Sequence, residues 1–290
     1  MPVNARDLRR RIRSVKNTQQ ITKAMEMVAV AKLRRAQEQV RQARPYARKI
    51  QEVVTSIAQS TGPRHSMMQS RPVKTTGYVI ITSDRGLAGA YNIQVIRHAL
   101  REFAQKSRDE YVLFVIGRKG RDYFARRNYS IAEEATGVSD TPSYSEVQRI
   151  AEMIVKMYMA GIYDELYLVY NEFKSALTQI PTARKILPLD GLVNPSTTAA
   201  TGAPSANYDY EPTTEKVLDE LLPRYAETLI YQALLEAKAS EFGMRMRAMG
   251  QAKDNAGIVV KKLTLSLNRA RQAAITTQIA EIVGGSEALK

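Results

Sequence analysis

The stretch Gly243 to Gly284 constrains this chain most. It contains no proline, and its small and apolar residues recur at helical spacing. Ala256, Val260, Leu263, Leu267, Ala270, Ala274 and Thr277 advance by alternating steps of four and three, the spacing of a heptad seam. The seam is thin and rich in alanine, so a neighbouring backbone can lie close. The pattern reaches back towards Pro223, and proline suits a first helical turn, where its missing N–H has no partner in any case. From Pro223 to Gly284 a helix would run about 90 Å at 1.5 Å per residue. No compact domain holds such a helix, so a second long element must run beside it.

The other end of the chain supplies one. Asn4 to about Ser60 holds one proline, Pro45, and no glycine. Leu8, Ile12, Val15, Ile21, Met25, Val28, Leu33, Ala36, Val40 and Ala43 make a loose apolar face. This helix would span about 80 Å, with an irregularity expected at Pro45. The net charge of +14 concentrates here: residues 1–50 carry 14 Lys or Arg against 3 Asp or Glu. Residues 51–214 carry 18 against 17, and residues 215–290 carry 11 against 9. Like charges one turn apart each cost about 0.2–0.5 kcal/mol, so the basic helix faces either solvent or an acidic partner. The Arg-rich, acid-poor opening also resembles a targeting peptide, but the helical pattern runs through it without a cleavage-like break.

Between the helices the period changes. Residues 61–76 read as a linker with Gly62, Pro63 and Pro72. Tyr78–Thr82, Tyr111–Ile116 and Glu165–Tyr170 are buried-strand patterns, and Leu177–Leu187 adds a strand in the antiparallel sense because only a short turn precedes it. Asn92 is expected to cap a helix to about Lys106, a shorter helix to run from about Lys119 to Arg127, and Ser143–Glu146 to form a capping box opening a helix to about Ala160. Asp190–Pro212, rich in Thr, Ala, Gly, Pro and Ser, reads as a loop. The expected fold is α/β plus a long antiparallel coiled coil. Residues 1–60 and 213–290 supply the paired helices, and a Rossmann-like mixed-sheet domain over residues 77–189 lies between them.

Chemistry is sparse. The absence of cysteine excludes disulfides, iron–sulfur clusters and thiol catalysis. His65 and His98 are the only histidines and lack metal-ligand spacing; no metal or cofactor is expected. The loop TSDRGLAGAYN, Thr82 to Asn92, follows a strand and precedes a helix, where α/β proteins often bind ligands. It lacks the Walker lysine and the GxGxxG spacing. Asp84, Arg85, Gly86 and Gly89 are therefore read as a structural turn or contact surface, and Gly117–Gly120 as a strand end. Glu133 and Glu134 are adjacent and point apart on either a helix or a strand, so they make no acid–base pair. Met25, Met27, Met244, Met246 and Met249 fall at helical spacing, where packing explains methionine better than a cofactor does. Arg269, Arg271 and Gln272 lie near the end of the long helix, beyond the expected reach of the first one. They form either a solvated face or, through the forked guanidinium of Arg271 and the amide of Gln272, a polar grip on another protein.

Four ordered blocks resemble the gamma-subunit family of F-type ATP synthases over nearly the whole chain: Ile12 to Gln37, Thr82 to Asn92, Ala239 to Ala256, and Asn268 to Gly285. The resemblance implies a non-catalytic rotor shaft. Its coiled coil would stand in a ring of three alpha and three beta subunits, and its α/β part on the membrane c-ring with the epsilon subunit. Rotation would couple proton flow to ATP synthesis or hydrolysis, peripherally, at the cytoplasmic face of the bacterial cell membrane. Met25 and Arg245 would then fall beside the acidic lever of a beta subunit, and Arg271 and Gln272 where the shaft meets the beta catch loop. The cysteine-bearing insert of chloroplast members is absent. On charge alone the alternative is a basic coiled coil that binds nucleic acid, but residues 1–45 contain no aromatic and interleave their cations with a packing stripe. A nucleotide-binding enzyme is the third reading.

Overall fold

The computed structural model describes residues 5–61, 65–190 and 213–287; the expected loop at Asp190–Pro212 lies, apart from Asp190, outside them. The chain forms two compact units, Met1–Ala29 with Arg245–Lys290, and Val30–Met244. Helices α1 (Ala5–Thr61) and α5 (Thr214–Glu287) contribute to both.

The less exposed positions of α1 form an unbroken series with steps of four and three. Leu8, Ile12, Val15, Gln19, Thr22, Glu26 and Ala29 make its first half, and it continues through Leu33 and Ala36 to Val54 and Ile57. This strict heptad corrects the looser face read from the sequence. Ile21 and Val28 stand one position off the seam and are 60% and 53% exposed, while Thr22 and Ala29 are buried in their stead. Position in the repeat, not apolarity, decides which residues go inside. The helix also runs unbroken through Pro45, which is exposed. The carbonyl that Pro45 cannot serve belongs to Arg41, itself an exposed residue, so the lost hydrogen bond does not end the helix. Helix α5 starts at Thr214 and is 74 residues long, about 110 Å. Pro223 therefore sits inside it, not in its first turn.

Five strands, β1 (Thr76–Ile81), β2 (Tyr111–Ile116), β3 (Ile131–Ala135), β4 (Glu165–Phe173) and β5 (Gln179–Leu187), form one sheet in the order β3-β2-β1-β4-β5. The first four strands are parallel and β5 is antiparallel to β4. Helices α2 (Tyr91–Glu102), α3 (Arg118–Ala125) and α4 (Tyr144–Met159) make the crossovers, as parallel neighbours require. Each residue of β1 is buried, because both faces of the sheet are covered. Tyr78, Ile80, Leu113 and Val169 pack with Val95 of α2 and Phe124 of α3. Val79, Phe114, Leu166 and Leu168 pack with Ile154 of α4, Ile57 of α1 and Leu222 and Ile230 of α5. The long helices thus form part of the second unit's core.

Three local expectations need correction. Helix α2 starts at Tyr91 with no side-chain cap; Asn92 lies in its first turn and folds back to Ser83. Ser143 does accept a hydrogen bond from the Glu146 N–H, but the Glu146 carboxylate accepts from Ser139 N–H instead, so only half of the capping box forms. The segment read as a linker holds a short 3-10 helix, Ser66–Met68, whose Met67 and Met68 are buried. His65 Nδ1 accepts from the Met67 N–H at its start.

Candidate functional site

Strand order reverses at β1, with β2 on one side and β4 on the other. In open α/β sheets that point is where ligands bind, against helix N-termini. The loop Thr82–Ala90 leaves β1 there, and it consumes the donors a phosphate would need. Arg118 N–H donates to Asp84 Oδ1 at 3.0 Å, Lys119 N–H to the Ser83 carbonyl at 3.0 Å, and Gly120 N–H to Thr82 Oγ1 at 2.9 Å. Gly117, the N-cap of α3, has φ of 98°, and a Cβ there would stand 2.2 Å from the Thr82 carbonyl oxygen. Glycine permits that approach. Helix α5 closes the rest: Leu234, Ala237, Lys238 and Glu241 meet Ile81 and Ile116 over a crevice with no volume for a water molecule.

The loop is tied down from several sides. Asn92 Oδ1 accepts from Ser83 N–H at 2.9 Å while its Nδ2 donates to Ser83 Oγ at 2.8 Å. Asn171 of β4 donates to the Tyr91 carbonyl at 3.1 Å, and Ser240 of α5 donates to the Asn171 carbonyl at 2.7 Å. Ala88 and Tyr91 pack on Met244. Charges close beside it: Lys238, almost wholly buried, donates to the Val138 carbonyl at 3.1 Å and lies 3.9 Å from Glu241. Lys32 pairs with Asp140. Burial would push the Asp140 carboxyl up, but Lys32, aided by Lys238 and Arg85, holds it below the usual carboxylate range. Asp84 thus accepts from the first N–H of α3 across the loop, Arg85 belongs to the field around Asp140, Gly89 adopts φ of 58°, and Gly86 leaves ordinary room beside Lys119. At the loop's tip Leu87 holds φ of 60° and is 65% exposed.

In the first unit the two helices run antiparallel. A Cβ on Gly250 would meet Glu26 at 3.1 Å, and one on Gly257 would meet Gln19 at 3.0 Å; seven residues forward on α5 is seven back on α1. Glu26 Oε2 accepts from Lys253 Nζ at 2.9 Å, and Gln19 Nε2 donates to the Lys253 carbonyl at 3.5 Å. These polar residues inside the seam escaped the sequence reading. The signal was the heptad spacing of Gly243, Gly250 and Gly257. Each glycine faces a bulkier neighbour, Gly243 meeting Gln179 and Phe173 in the second unit.

That register places Met25 level with Gln251, six residues beyond Arg245, or roughly 9 Å along α5. Both Met25 and Arg245 are half-buried, offset along the helix pair by those six residues. It places Ala5 level with Arg271 and Asp7 level with Arg269, so Arg269 lies within the reach of α1 and not beyond it. Ala256, Val260, Leu263, Leu267 and Ala270 are sheltered to varying degree, whereas Ala274 and Thr277 of the expected seam are exposed. From Arg271 to Ser286 every residue is exposed, including Gln272, Ile275, Ile279, Ile282 and Val283. Among the described residues no helix is long and apolar enough to cross a membrane, and no His, Cys, Asp or Glu cluster is spaced to hold a metal.

A sheet whose crevice is filled by its own chain, and a helix pair in which one partner outruns the other, define an α/β protein built with a long antiparallel helix pair. Comparison with known proteins gives the family. The sequence model of the ATP synthase family matches residues 4–289. The chain is 54% identical over 291 residues to the ATP synthase gamma chain of Brevibacillus brevis, covering 99% of each. To that of Desulfitobacterium hafniense it is 50% identical over 288 residues, again covering 99% of each. Among solved structures it resembles a chain of the Tetrahymena thermophila mitochondrial ATP synthase central stalk and c-ring, with TM-score 0.63 and 25% identity over 80% of this chain and 99% of that one. A chain of the Euglena gracilis mitochondrial ATP synthase shares the fold at TM-score 0.68 and 18% identity, over 98% and 94%. The chain belongs to the gamma-chain family of F-type ATP synthases.

Proposed function

We infer that the chain is the rotor shaft of an F1 motor, a subunit of ATP synthase with no catalytic step of its own. The observation that carries this is the exposed end of α5, Arg271–Ser286, which outruns its partner and presents isoleucines and a valine that no part of the described chain covers. The partners are three alpha and three beta subunits around the helix pair, with the epsilon subunit and the c-ring at the sheet unit. Nothing favours the nucleic-acid alternative, and the basic first helix is taken to face acidic neighbours in the motor. The place of work is the cytoplasmic face of a bacterial cell membrane, reached through the complex.

A shaft without ligands changes its neighbours' affinities only if each neighbour meets a different side of it. An antiparallel pair of unlike helices has no rotational symmetry, so a threefold ring around it holds three unlike contacts. Each tenfold change in nucleotide affinity needs about 1.4 kcal/mol of differential contact. Arg271 and Gln272 are the contacts proposed nearest the tip, Met25 and Arg245 those farther down, and the Asp84–Gly89 turn a contact on the sheet unit. Reconstitution with alpha and beta subunits tests the reading. One copy per three of each, with ATP hydrolysis that depends on the chain, is expected; a chain that fails to join the ring, or joins in several copies, would overturn it.

A further inference from the structure

A cavity of about 350 Å³ opens on the second unit among Gln39, Gln42 and Tyr46 of α1, Tyr144 of α4, and Thr228 and Tyr231 of α5. We propose that this cavity binds a compact organic cation, a primary ammonium or guanidinium group on an aliphatic stem. The size is that of a small-ligand site, and acceptors prevail on the α4 and α5 side of it. Three hydroxyls spend their protons inside the protein: Tyr144 donates to Glu227 Oε2 at 2.9 Å, Tyr231 to the Pro142 carbonyl at 3.1 Å, and Thr228 to the Arg224 carbonyl at 2.7 Å. Their oxygens retain only acceptor capacity. Gln39 Oε1 is buried and accepts from nothing, a deficit that a native structure ordinarily fills.

The walls are tyrosine rings, Tyr144 and Tyr231 meeting edge to face at 5.6 Å between centroids. Aromatic faces beside three spent hydroxyls and an unpaired amide oxygen suit a cation that carries several N–H groups. Two fixed charges lie near the Tyr144 hydroxyl, Glu227 and Arg224, with opposite effects on it. Glu227 is the closer, through its hydrogen bond. The occupant is either a free polyamine-like cation or a Lys or Arg side chain of a neighbouring subunit; both present the same group. The site does not rest on the shaft reading, since none of its residues is among the contacts proposed for the shaft.

Titration calorimetry on the full chain tests it, with n-butylguanidinium as probe and n-butylurea as its neutral counterpart. The guanidinium is expected to bind and the urea not. Gln39→Leu and Tyr46→Leu should each weaken binding by roughly threefold to thirtyfold, Tyr46→Phe should keep it, and Gln39→Glu should tighten it. Tightening is an outcome that a merely structural Gln39 would not produce. Nitration of Tyr46 separates the sources. Protection in the assembled complex assigns the cation to a neighbouring subunit, and protection only on adding n-butylguanidinium assigns it to a free cation. Equal binding of the urea, or unchanged affinity in both leucine variants with their folding intact, would overturn the proposal.

Discussion

Single residues decide whether the loop after β1 can close on α3. Gly117 holds φ of 98° with the Thr82 carbonyl where a Cβ would stand. Gly117→Ala combines left-handed strain with overpacking and should cost about 3 kcal/mol in urea unfolding; a variant as stable as the parent would mean the loop is not packed as described. Asp84→Ala removes the carboxylate that accepts from the first N–H of α3 and should cost about 1 kcal/mol. The turn itself was legible in Gly86 and Gly89. The partner of Asp84 was not, because it lies 34 residues away and no local pattern announces it. Glu236 shows the same limit. Its carboxyl is raised above the usual range by burial and by Glu172, against a hydrogen bond from Tyr170 and the charges of Arg184 and Arg44. A raised folded pKa contributes stability below the ordinary carboxylate value and loses it as pH rises through the folded one. Ionised Glu236 therefore costs stability at neutral pH. Glu236→Gln, which keeps an acceptor for Tyr170, should raise Tm at pH 7 with a gain that vanishes near pH 4; a gain independent of pH would place the cause elsewhere.

At the scale of elements, legibility followed the strength of the repeat. β2 was bounded correctly because Tyr111–Ile116 is an unbroken apolar run rich in β-branched and aromatic residues, and the antiparallel sense of β5 followed from the short turn before it. β3 was missed because its sequence, IAEEA, has low β propensity and gains its strand state from pairing with β2 at the sheet edge. The bounds of α5 were legible, but Pro223 was misplaced because proline marks a first turn more often than a third. The α1 seam was blurred because Ile21 and Val28 look more apolar than the Thr22 and Ala29 that replace them inside. Leu263 belongs to the seam and is half-buried. Leu263→Pro removes a backbone hydrogen bond and clashes with the preceding turn, a loss of about 3 kcal/mol or more. Circular dichroism should show lost helicity, and the variant should not assemble. Full helicity and assembly would contradict the pairing of the two chain ends.

For the whole molecule, the sequence carried the family in four separated blocks, because a shaft is read by many neighbours at once. It carried the working surface less well. Arg271 and Gln272 are exposed as expected, yet the groups they are proposed to meet lie on other chains. Arg271→Ala should remove a charge-assisted contact worth about 1.5–3 kcal/mol and lower ATP synthesis per ion translocated while leaving the isolated chain as stable as before. Wild-type coupling would remove Arg271 from the contact set. The filled crevice at the switch point predicts that the isolated chain binds no nucleotide by calorimetry. The most direct measurement of the central claim is rotation. The chain has no cysteine, so one thiol introduced on the exposed face of the sheet unit can carry a bead while the alpha–beta ring is fixed to glass. With ATP present the bead should turn in one direction, pausing at each third of a turn; a stationary bead on a ring consuming ATP at its full rate would contradict the account.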